Sequence, residues 1–563
     1  MHVQQSAAAS HATTPASSQT QVLVVGAGPT GLTLANLLAR MDVPFRIIDP
    51  KTGPVTESRA VTMHAKTLEL LDKLGLAERA VAGGRRVGAI TIYRDGRSVG
   101  TASFFEAGME DRTPFPFALI FEQSKTERLL LDGLHEAGSD VDWTTSLKSL
   151  QRHERGARAI AVGADGREEA IEAAWVVGAD GASSPVRHAL SLGFAGGTYE
   201  QTLFLADVDL DWDVPPDQGQ AELSRGGFLL AFPMSGPGHY RLTGTLPPEL
   251  AHAEHLAAAD VQQILDRQAA LHPRVTACRW TSIYRTHHRM TERFRRGRVF
   301  LAGDAAHIHS PTGGQGMNTG IGDAFNLGWK LALVARGAAD ERLLDSYEAE
   351  RMPFARAILN GSDRGFRLLD ASNPSVRELK MVSLPLLFSA ISRIPAARDR
   401  AFWLLSQLWT NYRDTPAVSE AGPVGRLPRA GDRAPYGFFE TGSESGTSTF
   451  ETLTGLDHHL LLFAGQRPDP ATFEAAARTI AGLLPRYDAP IALHRVPAGN
   501  ITLAARYGAD VPSIFLIRPD GHIAFRGDAT DIIPLTRYLD RWFLPRAASG
   551  VTDLSLGMER LAS

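Results

Sequence analysis

Three stretches of this sequence combine glycines with a single acid, in spacings that suit binding of a phosphate or nucleotide. The first is Gly26-Ala27-Gly28-Pro29-Thr30-Gly31, which follows the apolar run Gln21–Val25 and precedes a helix with Leu34, Leu37 and Leu38 on one face. A second apolar run, Phe45–Ile48, ends at Asp49, 18 residues beyond Gly31. Strand, GxGxxG, helix, strand and acid in that order are the dinucleotide fingerprint. The glycines permit a tight turn and close approach of a pyrophosphate to a helix N-terminus, and the acid is placed to accept hydrogen bonds from a ribose. The pattern does not separate one dinucleotide from another.

The second stretch is Val299–Ala302 followed by Gly303-Asp304, a loop through Pro311, and Gly316-Met317-Asn318. A helix is expected from about Asn318 to Arg336, with Ile321, Phe325, Gly328 and Ala332 on one face. Its free N–H groups and positive dipole end attract an anionic or electron-rich group. The third is Ala174–Gly178, then Ala179-Asp180-Gly181, with Ser184, Pro185 and Arg187 opening a short helix. An acid at the carboxyl end of a strand beside a helix start is where open α/β sheets bind ligands.

Weaker signals surround these. Arg59, in Ser58-Arg59-Ala60, suits a phosphate clamp or the edge of an aromatic cofactor, but spacing leaves it equally open as a solvated arginine. Gln123 stands before Ser124 and Glu127, a capping-box pair, and is open as a ligand contact or an exposed loop amide. His64 lies beside a helix expected over Ala65–Leu74.

These residues need a large framework, and 563 residues supply about two to four domains. A net charge of −4 favours neither nucleic acid nor an anionic membrane. The single cysteine, Cys278, excludes an intramolecular disulfide, a CxxC pair and any multi-thiolate metal site; no metal is expected, and a reducing, cytoplasmic setting fits. Residues 1–20 have the composition of a disordered tail. Met381–Trp409 is apolar but broken by Arg393, Arg398 and Arg400, which predicts buried helix and no membrane span. Period-2 runs over 193–290 predict an antiparallel sheet as the substrate platform, and 435–563 has its own βα rhythm.

Taken together, Gly26–Gly31, Ser58-Arg59-Ala60, Gln123, Gly178–Gly181 with Arg187, and Gly303-Asp304 through Asn318 resemble the FAD-dependent aromatic hydroxylases, the group A flavoprotein monooxygenases. The resemblance covers roughly 21–360. It is greatest to the phenol, pentachlorophenol, 3-(3-hydroxyphenyl)propionate and polyketide hydroxylases, which carry a C-terminal thioredoxin-like domain. It implies an α/β chain: a disordered tail at 1–20, a Rossmann-like FAD-binding domain over 21–190 and 286–360, an inserted antiparallel β-sheet substrate domain at 191–285, a helical segment and linker at 361–434, and a thioredoxin-like domain without CxxC at 435–563. Val511-Pro512 matches that fold's cis-proline. One departure is Lys66, where many relatives have arginine.

The resemblance further implies roles. Gly26, Gly28, Pro29, Thr30 and Gly31 meet the pyrophosphate and Asp49 the adenosine ribose. Arg59 and Gln123 contact FAD, Asp180 serves FAD and NADPH, and Gly303 with Asp304 holds the flavin-side ribose. Pro311 lies by the isoalloxazine, and Gly316, Met317 and Asn318 carry the helix end that faces it. NADPH or NADH then reduces FAD, and one atom of O2 passes through a C4a-hydroperoxyflavin to a phenolic or polyketide-like ring. Tyr240, Arg225 and His64 are candidate bases for activating a phenol; none is assigned. Baeyer–Villiger insertion or epoxidation on a polyketide is the alternative, and a non-catalytic aromatic-binding flavoprotein a remote one. Flavin halogenases share the fold but carry Trp-x-Trp-x-Ile, and Trp280-Thr-Ser-Ile283 lacks the second Trp. A homodimer is expected from relatives.

Overall fold

The computed structural model describes residues 16–94, 97–103, 109–224, 227–269, 272–310, 312–369, 393–422, 427–440 and 446–546, with positions 383, 386, 387 and 390. At its centre is a sheet in which Val299–Leu301, Glu168–Gly178, Ala16–Val25, Phe45–Asp49 and Asp142–Trp143 run parallel, side by side in that order. Strands buried on both faces read as continuous apolar runs. Val22–Val24, Val176–Val177 and Val299–Leu301 accordingly are fully buried.

Two helices cover one face. Pro29–Arg40 starts with proline at its first turn, where the missing N–H costs nothing, and buries Leu34, Leu37 and Leu38 as the periodicity predicts. The long helix Gly316–Ala335 lies against it. Ile321, Phe325 and Ala332 are fully buried, and Gly328 is where the two helices come closest: a Cβ there would sit 2.5 Å from Leu37 Cδ1.

A second sheet takes strands from Ala195–Asp211, Gln218–Ser224, Gly227–Pro233, His239–Thr245 and Arg274–Met290, and also from Ala89–Arg94 and Arg97–Ser103. Its neighbours pair antiparallel except Gln218–Leu223 with Ala89–Arg94, which run parallel. The helix Ala258–Gln268 packs on it through Val261, Ile264 and Leu265. A third, five-stranded sheet belongs to the C-terminal part: Ser419–Glu420, Ile523–Asp528, Ser513–Ile517, His458–Phe463 and Ile491–Val496. The molecule is thus mixed α/β, as the sequence predicts.

Four expectations differ from the structure. Residues 16–20 of the expected tail are strand, with Ala16 opposite Glu169 and Thr20 opposite Ala173; the longer neighbouring strand offers backbone partners whatever the side chains are. Ser124 is no helix cap, because the helix Gln123–Glu136 has already begun. Glu127 instead accepts from Val55 N–H and the Gln123 amide. In the stretch read as buried helix, Leu386, Leu387, Ile394 and Leu404 are at least half exposed; the helix Pro395–Leu405 buries Phe402 and packs Ala401 and Trp403 partly against the core. Val511–Pro512 directly precedes the strand Ser513–Ile517 but is trans; the cis bond among the described residues is Leu427–Pro428.

Candidate active site

Sheet register builds the site. Val25 is opposite both Ile48 and Gly178, and Gly178 is opposite Leu301. The chain therefore leaves all four strands on one edge, at Gly26, Asp49, Ala179 and Ala302. Backbone bonds continue the row one residue further, from Gly26 N to Ile48 O, Ala179 N to Val25 O and Ala302 N to Gly178 O, at 2.8, 2.8 and 2.9 Å. Asp49 and the Gly303-Asp304 turn are three strand spacings apart, about 14 Å. A pyrophosphate with a sugar on each side spans such a gap.

The three fingerprint glycines do different work. Gly26 has φ +104°, and a Cβ on it would strike Ala179 O at 2.4 Å. A Cβ on Gly31 would lie 1.8 Å from Gly26 O. Both are required by the protein's own packing. Gly28 is not: its φ is −84°, and a Cβ there meets nothing within 4 Å. Open space beside a helix N-terminus that has neither a side-chain cap nor an acid in its first turn suits an anion. Thr30 joins the fingerprint turn to the Gly303 turn and the long helix, since Cβ atoms on Gly303 and Gly320 would both collide with its Oγ1, at 2.6 and 2.3 Å.

Asp304 follows Gly303, whose φ of +59° turns the chain out of the sheet. Among the described residues Asp304 has no hydrogen-bond partner. It is exposed, yet enough protein surrounds it that lost hydration raises its carboxyl above the usual range, opposed by His307 and Arg59 and reinforced by Asp323. Its side chain is therefore open to solvent while protein packs around it. Arg59, exposed and without a hydrogen-bonded partner among the described residues, is near enough for its charge to act on Asp304.

The other acids are committed to the framework. Asp49 is buried and accepts Ala27 N–H at 2.7 Å and Lys51 N–H at 2.8 Å, so a ribose has only its remaining lone pairs. Asp180 accepts from Ser184 Oγ and Val186 N–H, fixing the start of the helix Pro185–Ala189, and burial raises its carboxyl. Arg187 then donates to Ala305 O at 3.0 Å and Ala182 O at 2.8 Å, tying that helix to the Asp304 turn. Gln123 faces protein on all its polar atoms: its backbone N–H meets Ala60 O, its carbonyl oxygen Ala60 N–H, and its amide Glu127. It holds the segment that carries Arg59.

Gly316 and Met317 are half-buried at the start of the long helix, where N–H groups lack partners. The Asn318 side chain is a staple. It accepts from His64 N–H and Thr67 Oγ1 and donates to Thr62 O and Gly314 O. His64 bonds Gly313 O at 2.8 Å, and burial lowers its pKa to about 4. The ring is neutral and braces this loop. Tyr240 lies in the apolar core of the second sheet, edge-on to Trp212, and burial raises its hydroxyl. Neither is placed as a base. Pro311 and Arg225 lie outside the described residues.

Sequence reasoning missed the residues behind the turn. Asp323 accepts Gly303 N–H at 3.0 Å and bonds His307 Nε2 at 2.7 Å and Arg351 Nε at 2.7 Å. Asp323, Asn326 and Lys330, at i, i+3 and i+7, interrupt an otherwise apolar helix, and that stripe was a readable signal.

FAD fits these features. The uncapped helix start beside Gly28 would hold its pyrophosphate, Asp304 and Arg59 its flavin-side sugar, and the Gly316–Asn318 backbone its ring.

Comparison with known proteins agrees with this fit. A family described as FAD binding domain matches residues 19–362, and one described as Aromatic-ring hydroxylase, C-terminal, matches 427–545. The chain is 34% identical over 535 residues to 6-methylpretetramide 4-monooxygenase of Streptomyces rimosus, covering 93% of this chain and 94% of that protein. It is 33% identical to pentachlorophenol 4-monooxygenase of Sphingobium chlorophenolicum, over 74% of this chain and 76% of that one. Aklavinone-11 hydroxylase, solved as a ternary complex with FAD and aklavinone, superposes with a TM-score of 0.72 at 27% identity, covering 93% of this chain and 99% of that one. On these matches, and as its motifs imply, the chain belongs to the FAD-dependent aromatic hydroxylases, flavoprotein monooxygenases that use NAD(P)H and O2 to hydroxylate an aromatic ring.

Proposed function

We propose that the ring hydroxylated belongs to a polycyclic, phenolic, polyketide-like compound. The observation that carries this reading is the 34% identity to 6-methylpretetramide 4-monooxygenase along 93% of the chain. The helix Pro395–Leu405 supports it. Its Leu405 carbonyl accepts from Gln315 Nε2 at 3.2 Å, so it stands beside the loop before Gly316, and Leu404 is 50% exposed. An apolar wall at that loop suits a broad, flat substrate.

Within this reading the site residues take the following roles. Gly28 leaves room for the pyrophosphate, and the helix that starts at Pro29 offers it the N–H groups of Thr30 and Gly31. Asp49 and Asp180 hold the turns. Asp304 accepts from the flavin-side ribose and Arg59 balances negative charge. The N–H groups of Gly316, Met317 and Asn318 point a positive dipole at the ring, as an oxyanion hole does. Bound FAD supplies the electron transfer and the oxygen activation. The domain boundaries given above, a homodimer, NADPH or NADH as reductant and a cytoplasmic setting belong to the same proposal. Among the described residues no helix is long and apolar enough to cross a membrane.

The test is a screen of mono- and polycyclic phenols for stimulated NAD(P)H oxidation, with product analysis under labelled O2. Stimulation should be greatest with polycyclic phenols, and the product should gain one labelled hydroxyl that survives ester hydrolysis. Stimulation confined to single-ring phenols, or a product that hydrolyses to an acid and an alcohol, would sink the reading.

A further inference from the structure

The C-terminal sheet reaches the Asp304 turn through an unbroken line of buried polar contacts. Arg518 begins the turn between Ser513–Ile517 and Ile523–Asp528, and it is fully buried. Its guanidinium donates both Nη groups to Glu350, at 2.8 and 2.9 Å, and Nε to Asp520 at 3.1 Å. Glu350 also accepts from Lys330 Nζ at 2.7 Å and Asn326 at 2.6 Å. Both charges therefore have partners, and the cations beside Glu350 lower its pKa to about 2 against the opposing effect of burial.

Arg518 also lies over Tyr412, 5.0 Å from the ring centre, and the His522 ring packs on the same tyrosine at 4.3 Å. Tyr412 Oη accepts from Arg351 Nη1 at 3.0 Å. Arg351 in turn donates to Asp323 and to Thr319 O. Asp323 holds Gly303 N–H, one residue before Asp304. Four side chains thus link the C-terminal turn to the cofactor turn: Arg518, Tyr412, Arg351 and Asp323.

A buried ionic network contributes little net stability compared with apolar packing of the same volume, because desolvation offsets most of the attraction. What it does supply is direction, since each bond fixes an angle as well as a distance. We infer that Arg518 and Tyr412 are positioning residues for FAD: the C-terminal sheet, which has no cysteine, holds the Gly303-Asp304 turn at the angle the cofactor requires. This rests on the placement of FAD against Asp304 proposed above.

Three variants test it on the full chain, each read by FAD affinity of the apoprotein, the visible spectrum of the bound flavin and the thermal midpoint. Tyr412→Phe keeps the ring under Arg518 and removes only the hydroxyl. It should weaken FAD about two- to thirtyfold, the range of couplings carried by such networks, and change the flavin spectrum, with the apoprotein midpoint lowered only by the loss of the one hydrogen bond from Arg351. Arg518→Met should weaken FAD more strongly, and it should also lower the midpoint, because Glu350 and Asp520 stay buried without this cation. Asp304→Asn tests the premise alone. If it weakens FAD while Tyr412→Phe and Arg518→Met shift only the midpoint, the network is structural and the inference falls. If Asp304→Asn also leaves FAD affinity untouched, the placement beneath the inference is wrong and both fall.

Discussion

Gly28 carries more information than its neighbours because nothing in the protein explains it. Gly26 and Gly31 are glycine for steric reasons internal to the fold, whereas a side chain on Gly28 would enter empty space. Gly28→Val should therefore leave stability within about 0.5 kcal/mol, as for a substitution that meets nothing, while abolishing FAD binding. A denaturation curve and an FAD titration check both halves, and a variant that still binds FAD would remove the pyrophosphate from this turn. Arg59→Met should weaken FAD about tenfold or more, the loss of one charge-assisted contact; unchanged affinity would return Arg59 to the solvated surface. At this scale the sequence was legible where chemistry and spacing coincide. Gly26 to Gly31, Asp49, Asp180 and Asp304 all sit at strand ends on one edge of the sheet. It was not legible where a side chain's partners decide. Gln123, Asn318 and Asp49 look like ligand contacts in the sequence, and each has hydrogen bonds to the protein's own groups around the site.

Among the elements, close approach of the Pro29–Arg40 helix to the sheet and to the helix Gly316–Ala335 is what brings the fingerprint turn and the Gly303-Asp304 turn together. Gly31→Ala should destabilise the protein by about 3 kcal/mol or more, since its Cβ would overlap Gly26 O and backbone must move. A urea midpoint equal to that of wild type would show the turn to be softer than its geometry implies. Period and propensity made most elements readable. The helix 316–335 and the C-terminal βα units lie where their apolar patterns place them, whereas the second sheet also takes Ala89–Arg94 and Arg97–Ser103 from outside 191–285. Three features escaped for physical reasons. Ala16–Thr20 form strand through backbone pairing, which composition does not encode. Leu386, Leu387 and Leu404 look like core but are at least half exposed; in the helix Pro395–Leu405 it is Phe402, with Ala401 and Trp403 beside it, that faces the core. The contact of Arg518 with Glu350 joins residues far apart in sequence, beyond any local pattern.

Over the whole molecule, burial has been extended to histidine. His64, His309 and His522 have pKa values lowered to about 4, and His458 to about 3, chiefly by loss of hydration. Their folded values lie below the ordinary 6.5. The unfolded chain therefore takes up protons first as pH falls. Stability from these groups is complete above about pH 6.5 and declines between 6.5 and 4, with a slope approaching about 1.4 kcal/mol per pH unit for each. Glu350, lowered to about 2, adds a further loss only below its ordinary value of 4.5. Urea unfolding at pH 7.5, 6.5, 5.5 and 4.5 should show a steepening decline, and a flat profile from 6.5 to 4.5 would show that these rings are hydrated. The central claim is that turns from the first and the middle parts of the chain grip one FAD. Absorbance titration of the apoprotein with FAD, for wild type, Gly28→Val and Asp304→Asn, tests it most directly. The expected result is one FAD per chain, with affinity lost or sharply weakened by either substitution alone. Two FAD per chain, or a substitution at one turn that leaves affinity unchanged, would contradict it.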